Sequence, residues 1–152
     1  MAIQHKDIVE SGLHETKGVS VAPSGAILKA QTGVGQWGWQ EYYLNLDIAD
    51  IDVSGSYFIP VPHTGNVAYI YCAIDNAITI ADNTITASIA GVDIPNGVVI
   101  ITFTGSGAGS VYSAVPTSLN FMTAGQSLRL TVSGASTTAC RAHITIAYFR
   151  SA

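Results

Sequence analysis

The stretch Ala142-His143-Ile144-Thr145-Ile146-Ala147-Tyr148-Phe149 decides the fold class of this sequence. Ala142, Ile144, Ile146 and Tyr148 occupy every second position of it. Alternation with a period of two is the pattern of a β-strand that buries one face. Since no part of the chain shows a convincing period of 3.6 residues, we predict an all-β protein.

Similar patterns occur upstream. Apolar residues alternate with polar ones in Leu44-Asn45-Leu46-Asp47-Ile48, and Asp50-Ile51-Asp52-Val53 continues the alternation, which predicts strand. Residues 67–74 are apolar on both faces, as in a strand between two layers or at a subunit contact. Asn96-Gly97 lies between two apolar runs and predicts a two-residue hairpin.

These segments amount to about eight strands, bounded by turn residues. Such spacing is typical of a sandwich or jelly roll. We therefore predict a jelly-roll-like β-sandwich over residues 41–152. Residues 1–40 have no sustained period and are rich in glycine, which opposes helices and weakens strands. We predict that they form an extended N-terminal arm with at most short strands, and that the arm lies on a partner.

The composition excludes several classes of protein. Of the 152 residues, 48% are hydrophobic and only 11% are charged, so the chain is too apolar for disorder. The net charge of −4 and the absence of a basic cluster argue against a nucleic-acid partner. A surface so poor in charge favours association, and we expect an oligomer or a docked subunit.

The sequence also bears on membrane association, secretion and disulfide bonds. The apolar runs have strand length, far below the roughly 20 residues of a membrane-spanning helix, and the first residues contain no secretory h-region. We therefore expect no membrane partner. Cys72 and Cys140 make no disulfide framework, which indicates free thiols in a reducing cytoplasm.

No motif predicts catalysis or a cofactor. Asp50-x-Asp52-x-Ser54-Gly55 matches the start of an EF-hand loop, but Val61 stands where the bidentate Glu belongs. A solvated strand face explains these acids better than calcium. His63 lies in a turn, and His143 alternates with core residues, so an exposed or hydrogen-bonded imidazole is favoured over a catalytic one. We expect a protein that is not an enzyme.

Aromatic residues give the clearest contact signal. Trp37 and Trp39 lie between glycines, where a ring cannot be buried locally, and Tyr42 and Tyr43 follow closely. Aromatic anchors of this kind are typical of protein–protein contacts. A lid over the β-domain explains them about as well, and a carbohydrate platform is a weaker third interpretation.

Four stretches resemble tailed-bacteriophage head decoration (capsid cement) proteins. Leu13-His14-Glu15-Thr16-Lys17-Gly18-Val19, followed by a glycine-rich stretch and Trp37, resembles a segment near the start of phage structural proteins; Thr16 departs from the proline of that pattern. Residues 57–67 resemble the opening of decoration domains, in which an apolar strand is followed by proline, glycine and a second strand. Residues 78–91 and 123–128 extend this resemblance.

The resemblance implies a virion protein on the outer capsid surface, made in the host cytoplasm and bound to major capsid protein. It implies a homotrimeric β-sandwich whose arm reaches across neighbouring capsid subunits. We expect subunit contacts at Tyr69 and Tyr71. The expected capsid contacts in the arm are His14, Glu15, Lys17, Gly18, Val19, Trp37 and Trp39.

Two other functions stay open from sequence. A trimeric β-sandwich with an attachment arm also fits a short head or tail fibre, or a receptor-binding protein that contacts host surface glycans. A minor structural or tail-tube-associated protein is the third possibility. The chain has no long fibrous repeat, which counts against a tail fibre.

Overall fold

The structure is a computed structural model that describes residues 26–31 and 34–151, with side chains from residue 40 onward. The described chain falls into two units, which meet in sequence between Trp39 and Gln40. The first unit contains two antiparallel strands, β1 (Ala26–Gln31) and β2 (Val34–Trp39), in register from Ala26 with Trp39 to Gln31 with Val34. Short strands therefore do form in this glycine-rich part of the chain.

The second unit contains nine antiparallel strands and no helix among its described residues. The nine strands are β3 (Glu41–Ile48), β4 (Gly55–Pro60), β5 (Gly65–Ile74), β6 (Asn83–Ile89), β7 (Val92–Ile101), β8 (Val111–Ala114), β9 (Phe121–Met122), β10 (Ser127–Val132) and β11 (Ala142–Arg150). This confirms the all-β prediction.

Within the sandwich the first strand pairs with the last one, and the other main pairs are nested between these two in the sequence. β3 pairs with β11, β4 with β10, β5 with β8, and β6 with β7. Successive pairs alternate between two sheets, whose orders are β3-β11-β5-β8 and β4-β10-β6-β7, and the short β9 also pairs with β5. A long antiparallel hairpin rolled upon itself gives this order, so the sandwich is jelly-roll-like.

One apolar core joins the two sheets. The alternate residues of β11 and β10 that point inward are fully buried, and they meet inward residues of β5 and β6. The largest fully buried side chains are those of Tyr148, Ile48, Ile51, Ile70, Ile74, Ile85, Ile94, Ile101, Met122, Leu128, Leu130 and Ile144. Burial of this aliphatic surface is the main force that holds the two sheets together.

Three local predictions from the sequence were wrong. Residues 50–53 are not strand: β3 ends at Ile48, and residues 49–54 connect it to β4. The hairpin between β6 and β7 turns at Ala90-Gly91, both with positive φ, and not at Asn96-Gly97. Residues 94–97 instead form an irregularity within β7, between the pairs Thr86–Val98 and Ser88–Asp93.

The third correction concerns β5. Sequence alternation places Val67 on the same face as Tyr69, but the β11 pairing jumps from Ala147–Tyr69 to Tyr148–Val67. Ala68 is therefore the extra residue of a β-bulge. As a result, Val67 is buried in the core and Tyr69 points outward.

The sandwich has two different ends. We call one the acidic end, formed by the connections 49–54, 75–82, 102–110 and 133–141. We call the opposite one the uncharged end, formed by the turns 61–64, 90–91 and 123–126.

Candidate contact surfaces

The outer face of the five-stranded sheet carries three exposed tyrosines, which we call the tyrosine face: Tyr43 on β3 with Tyr69 and Tyr71 on β5. Strand alternation turns these side chains away from the core, while their neighbours Leu44, Ile70 and Cys72 point inward. Tyr69 and Tyr71 share this face by strand alternation, and the bulge at Ala68 lets Val67, which precedes them, point into the core instead.

A small residue lies between two of these tyrosines. Tyr43, Ala147 and Tyr69 lie in one row across the sheet, and Ala147 faces outward between the two rings. Ala147 is nevertheless only 3% exposed. The rings of Tyr69 and Tyr71 stack, with centroids 5.7 Å apart and planes 19° apart.

Polar pairs surround the rings. Tyr43 Oη donates a hydrogen bond to Glu41 Oε2 at 2.8 Å, and this bond, with the nearby carboxylate charge, raises the pKa of Tyr43. In the next row, Thr145 Oγ1 donates to Asn45 Oδ1 at 2.8 Å.

The last row of this face holds a hydrogen bond between a histidine and an aspartate. His143 Nδ1 lies 2.7 Å from Asp47 Oδ1, with both side chains exposed. The hydrogen-bonded histidine that the sequence indicated is therefore present. This face can recognise a partner through rings and fixed polar groups, since tyrosine is enriched at protein interfaces.

The aromatic residues near the start of β3 separate between two faces. Tyr42 points away from Tyr43 and packs against the core, with its ring 5.6 Å from Tyr148 and 5.3 Å from His63. His63 is half-buried and its Nδ1 lies 3.3 Å from Tyr148 Oη, so it is less exposed than its turn position suggested. Burial raises the pKa of Tyr148. Tyr42 and Tyr43 thus do not form one cluster.

The predicted arm contacts cannot be placed on a surface. His14, Glu15, Lys17, Gly18 and Val19 lie outside the described residues. The backbone of Trp37 and Trp39 belongs to β2, opposite Leu28 and Ala26, and their side chains are also outside the description. These contacts remain predictions.

The aspartates of the EF-hand-like motif serve the backbone of a connection. Asp50 Oδ1 accepts hydrogen bonds from the amides of Asp52 and Cys140, both at 3.1 Å. Burial opposes ionisation of Asp50, but these bonds outweigh it and lower its pKa, while the hydrogen bond with Asp50 raises the pKa of Asp52. Residues 50–54 thus lie in a connection and not on the strand face that the sequence predicted. Within the described residues, no group of three or more His, Cys, Asp or Glu is placed to hold a metal.

The two cysteines are buried free thiols. Cys72 lies on β5, and burial raises its pKa to about 12. Cys140 lies in the connection before β11, and its Sγ donates to Asn76 O at 3.2 Å. No helix in the described part of the chain is long and apolar enough to span a membrane.

No protein-family model matches the chain, and no curated protein matches it. The fold is similar to a chain of the acidic stable capsid structure of Helicobacter pylori bacteriophage KHP30, with a TM-score of 0.54 and 9% identity, over 74% of this chain and 89% of that chain. A chain of the cyanophage Pam1 capsid asymmetric unit has a TM-score of 0.41 and 15% identity, over 73% and 84%. At these identities the likeness concerns the fold alone.

Proposed function

We propose that this protein is a virion structural protein that decorates the outer surface of a phage capsid and stabilises it by bridging major capsid subunits. One observation carries the proposal: a charge-poor β-sandwich exposes organised aromatic contacts on its surface. Such a molecule is suited to binding partners.

The fold likeness supports a capsid role. The KHP30 chain belongs to a structure described as a capsid, and the similarity covers most of both chains. The aligned region makes up 74% of this chain and 89% of the KHP30 chain, so the KHP30 chain is the shorter of the two. Small β-sandwiches of this size therefore occur in a phage capsid, which is the setting proposed here.

The mechanism is mechanical. Each copy contacts adjacent capsid subunits through the arm of residues 1–40, and many copies together raise the barrier to rupture of the shell. Individual contacts can be weak, since a trimer that engages several subunits gains from a high effective concentration.

The tyrosine face is proposed as the contact between copies in that trimer. Tyr69 and Tyr71 are 39% and 38% exposed, and they project from a regular sheet whose backbone is already paired. Rigid rings of this kind lose little conformational entropy when they are buried in a contact.

The test uses shells of the same phage that lack this protein. The full chain should co-sediment with them at a stoichiometry set by the lattice, and a variant without residues 1–40 should stay folded yet fail to bind. Circular dichroism and thermal unfolding establish that the shortened chain is folded. Full binding by that variant would exclude the arm as the attachment device, and failure of the full chain to bind would exclude decoration.

A further inference from the structure

The two ends of the sandwich differ in charge. The connections at the acidic end contain Asp50, Asp52, Asp75 and Asp82, with Arg141 as their one basic residue. The turns at the uncharged end contain no Asp, Glu, Lys or Arg. The excursion of residues 115–120, which separates β8 from β9 beside that end, contains none either.

An apolar groove opens at the uncharged end. Its volume is about 320 Å³, and it lies where the β6–β7 turn, the end of the 115–120 excursion and β9 come together. Its lining is formed by Ile89, Ala90, Val92, Leu119, Phe121, Thr123 and Gln126. Val92, Leu119 and Phe121 are all largely exposed, and no charged side chain lines the groove.

Leu119 is held in an unfavourable conformation beside this groove. Its φ of 49° lies in the left-handed region, which leucine rarely adopts. The next residue is fixed by Val67, whose amide donates to Asn120 O at 2.9 Å and whose carbonyl accepts from Asn120 Nδ2 at 2.6 Å. Yet Leu119 is 66% exposed and contributes little to the core, so packing within the sandwich does not explain a leucine here.

The chain also enters the sandwich at this end. Glu41, Phe149, Asn66 and Phe121 form one continuous row across the five-stranded sheet. Three strand spacings, roughly 14 Å, therefore separate the first residue of β3 from the groove residue Phe121. The attachment point of the proposed arm and the groove share one end of the sandwich.

We infer that the uncharged end faces the capsid shell and that its groove takes an apolar, uncharged segment of the major capsid protein, while the acidic end faces solvent. This inference rests on the proposed function and adds the orientation and the contact. The turns of the uncharged end bring no charge out of water when they are buried, and the adjoining strand ends add only Glu41 and Arg150, one charge of each sign. Burial of the acidic end would instead desolvate four carboxylates against one guanidinium. An uncharged groove likewise accepts only an uncharged segment without such a cost.

The chain offers a matched pair of variants. Ile80 at the acidic end also has a positive φ, 76°, and is 68% exposed. Leu119→Gly and Ile80→Gly each remove an exposed aliphatic side chain from a left-handed residue, and glycine accepts that conformation readily. Both variants should fold, which thermal unfolding checks, and Leu119→Asn is a second variant that also tolerates the left-handed region.

The experiment is co-sedimentation of each full-length variant with shells assembled from the phage's major capsid protein. Leu119→Gly and Leu119→Asn should weaken binding by at least about tenfold, since each subunit of a trimer loses an apolar contact, and Ile80→Gly should bind as the wild type does. Equal binding by all variants, or a loss confined to Ile80→Gly, would overturn the inference.

Two further outcomes separate the possible occupants. If Leu119→Gly alters the sedimentation of the free protein and leaves shell binding intact, the groove holds a second copy and the inference fails. If the wild type itself does not bind shells, the proposed function fails, and that result is distinguishable from a failure of the orientation alone.

Discussion

Replacing Tyr69 and Tyr71 together by serine should weaken association between copies without unfolding the sandwich. The two tyrosines are 39% and 38% exposed. With about 220 Å² for each residue, they leave roughly 170 Å² that a contact can bury. At about 25 cal/mol per Å², this burial contributes about 4 kcal/mol, so its loss should raise the dissociation constant roughly a thousandfold.

Sedimentation velocity over a dilution series measures this change. The matched control is Phe58→Ser, because Phe58 is 62% exposed on β4, in the other sheet. We expect trimer for the wild type and the control at concentrations where the double variant is monomer, with similar thermal unfolding for all three. Unchanged association of the double variant, or an equal loss in the control, would refute the assignment of the tyrosine face.

Three further predictions concern the folded sandwich. Asn83→Ala removes two buried hydrogen bonds: the Ser133 hydroxyl donates to Asn83 Oδ1 at 2.8 Å, and Asn83 Nδ2 donates to Ile51 O. The free energy of unfolding, measured in urea, should fall by about 2–4 kcal/mol, and a fall below about 1 kcal/mol would contradict this. Burial raises the pKa of Cys72 to about 12 in the folded protein, so the thiol of the unfolded chain ionises at a lower pH. The free energy of unfolding should therefore fall as pH rises above 9. Urea titrations at several pH values should show a smaller fall for Cys72→Ala than for the wild type. Gly65→Ala places a Cβ 2.3 Å from Phe149 O and should destabilise the sandwich by roughly 3 kcal/mol or more, whereas Gly107→Ala meets open space and should leave the melting temperature unchanged.

Strands with one buried face could be predicted from the sequence. In β11 and β3, inward aliphatic residues alternate with outward polar ones, and the register places Leu44 opposite Ile146 and Leu46 opposite Ile144. Such strands follow from alternation because the core itself imposes the period of two.

Local departures from alternation could not be predicted. The bulge at Ala68 depends on the partner strand, and it changes which side of β5 carries Val67. Asp50 alternates with Ile51 as in a strand, but its carboxylate stabilises a connection by accepting two amide hydrogen bonds. One of these bonds comes from Cys140, 90 residues away. Contacts between distant segments decide both cases.

The subunit contact expected at Tyr69 and Tyr71 stays a prediction. The structure shows only that the two side chains are exposed and stacked side by side. Tyr43 joins them only through the pairing of β3 with β11, which alternation alone does not reveal. The groove beside Leu119 arises from the backbone conformation of a loop and has no signature in the sequence.

The copy number of this protein in the virion, measured by quantitative mass spectrometry relative to the major capsid protein, tests the central claim most directly. Only the shell lattice offers hundreds of equivalent sites, so decoration predicts a ratio comparable with that of the capsid subunit. A handful of copies per virion would contradict decoration and would move the protein to the tail or a vertex fibre, where contact with host glycans becomes the leading function.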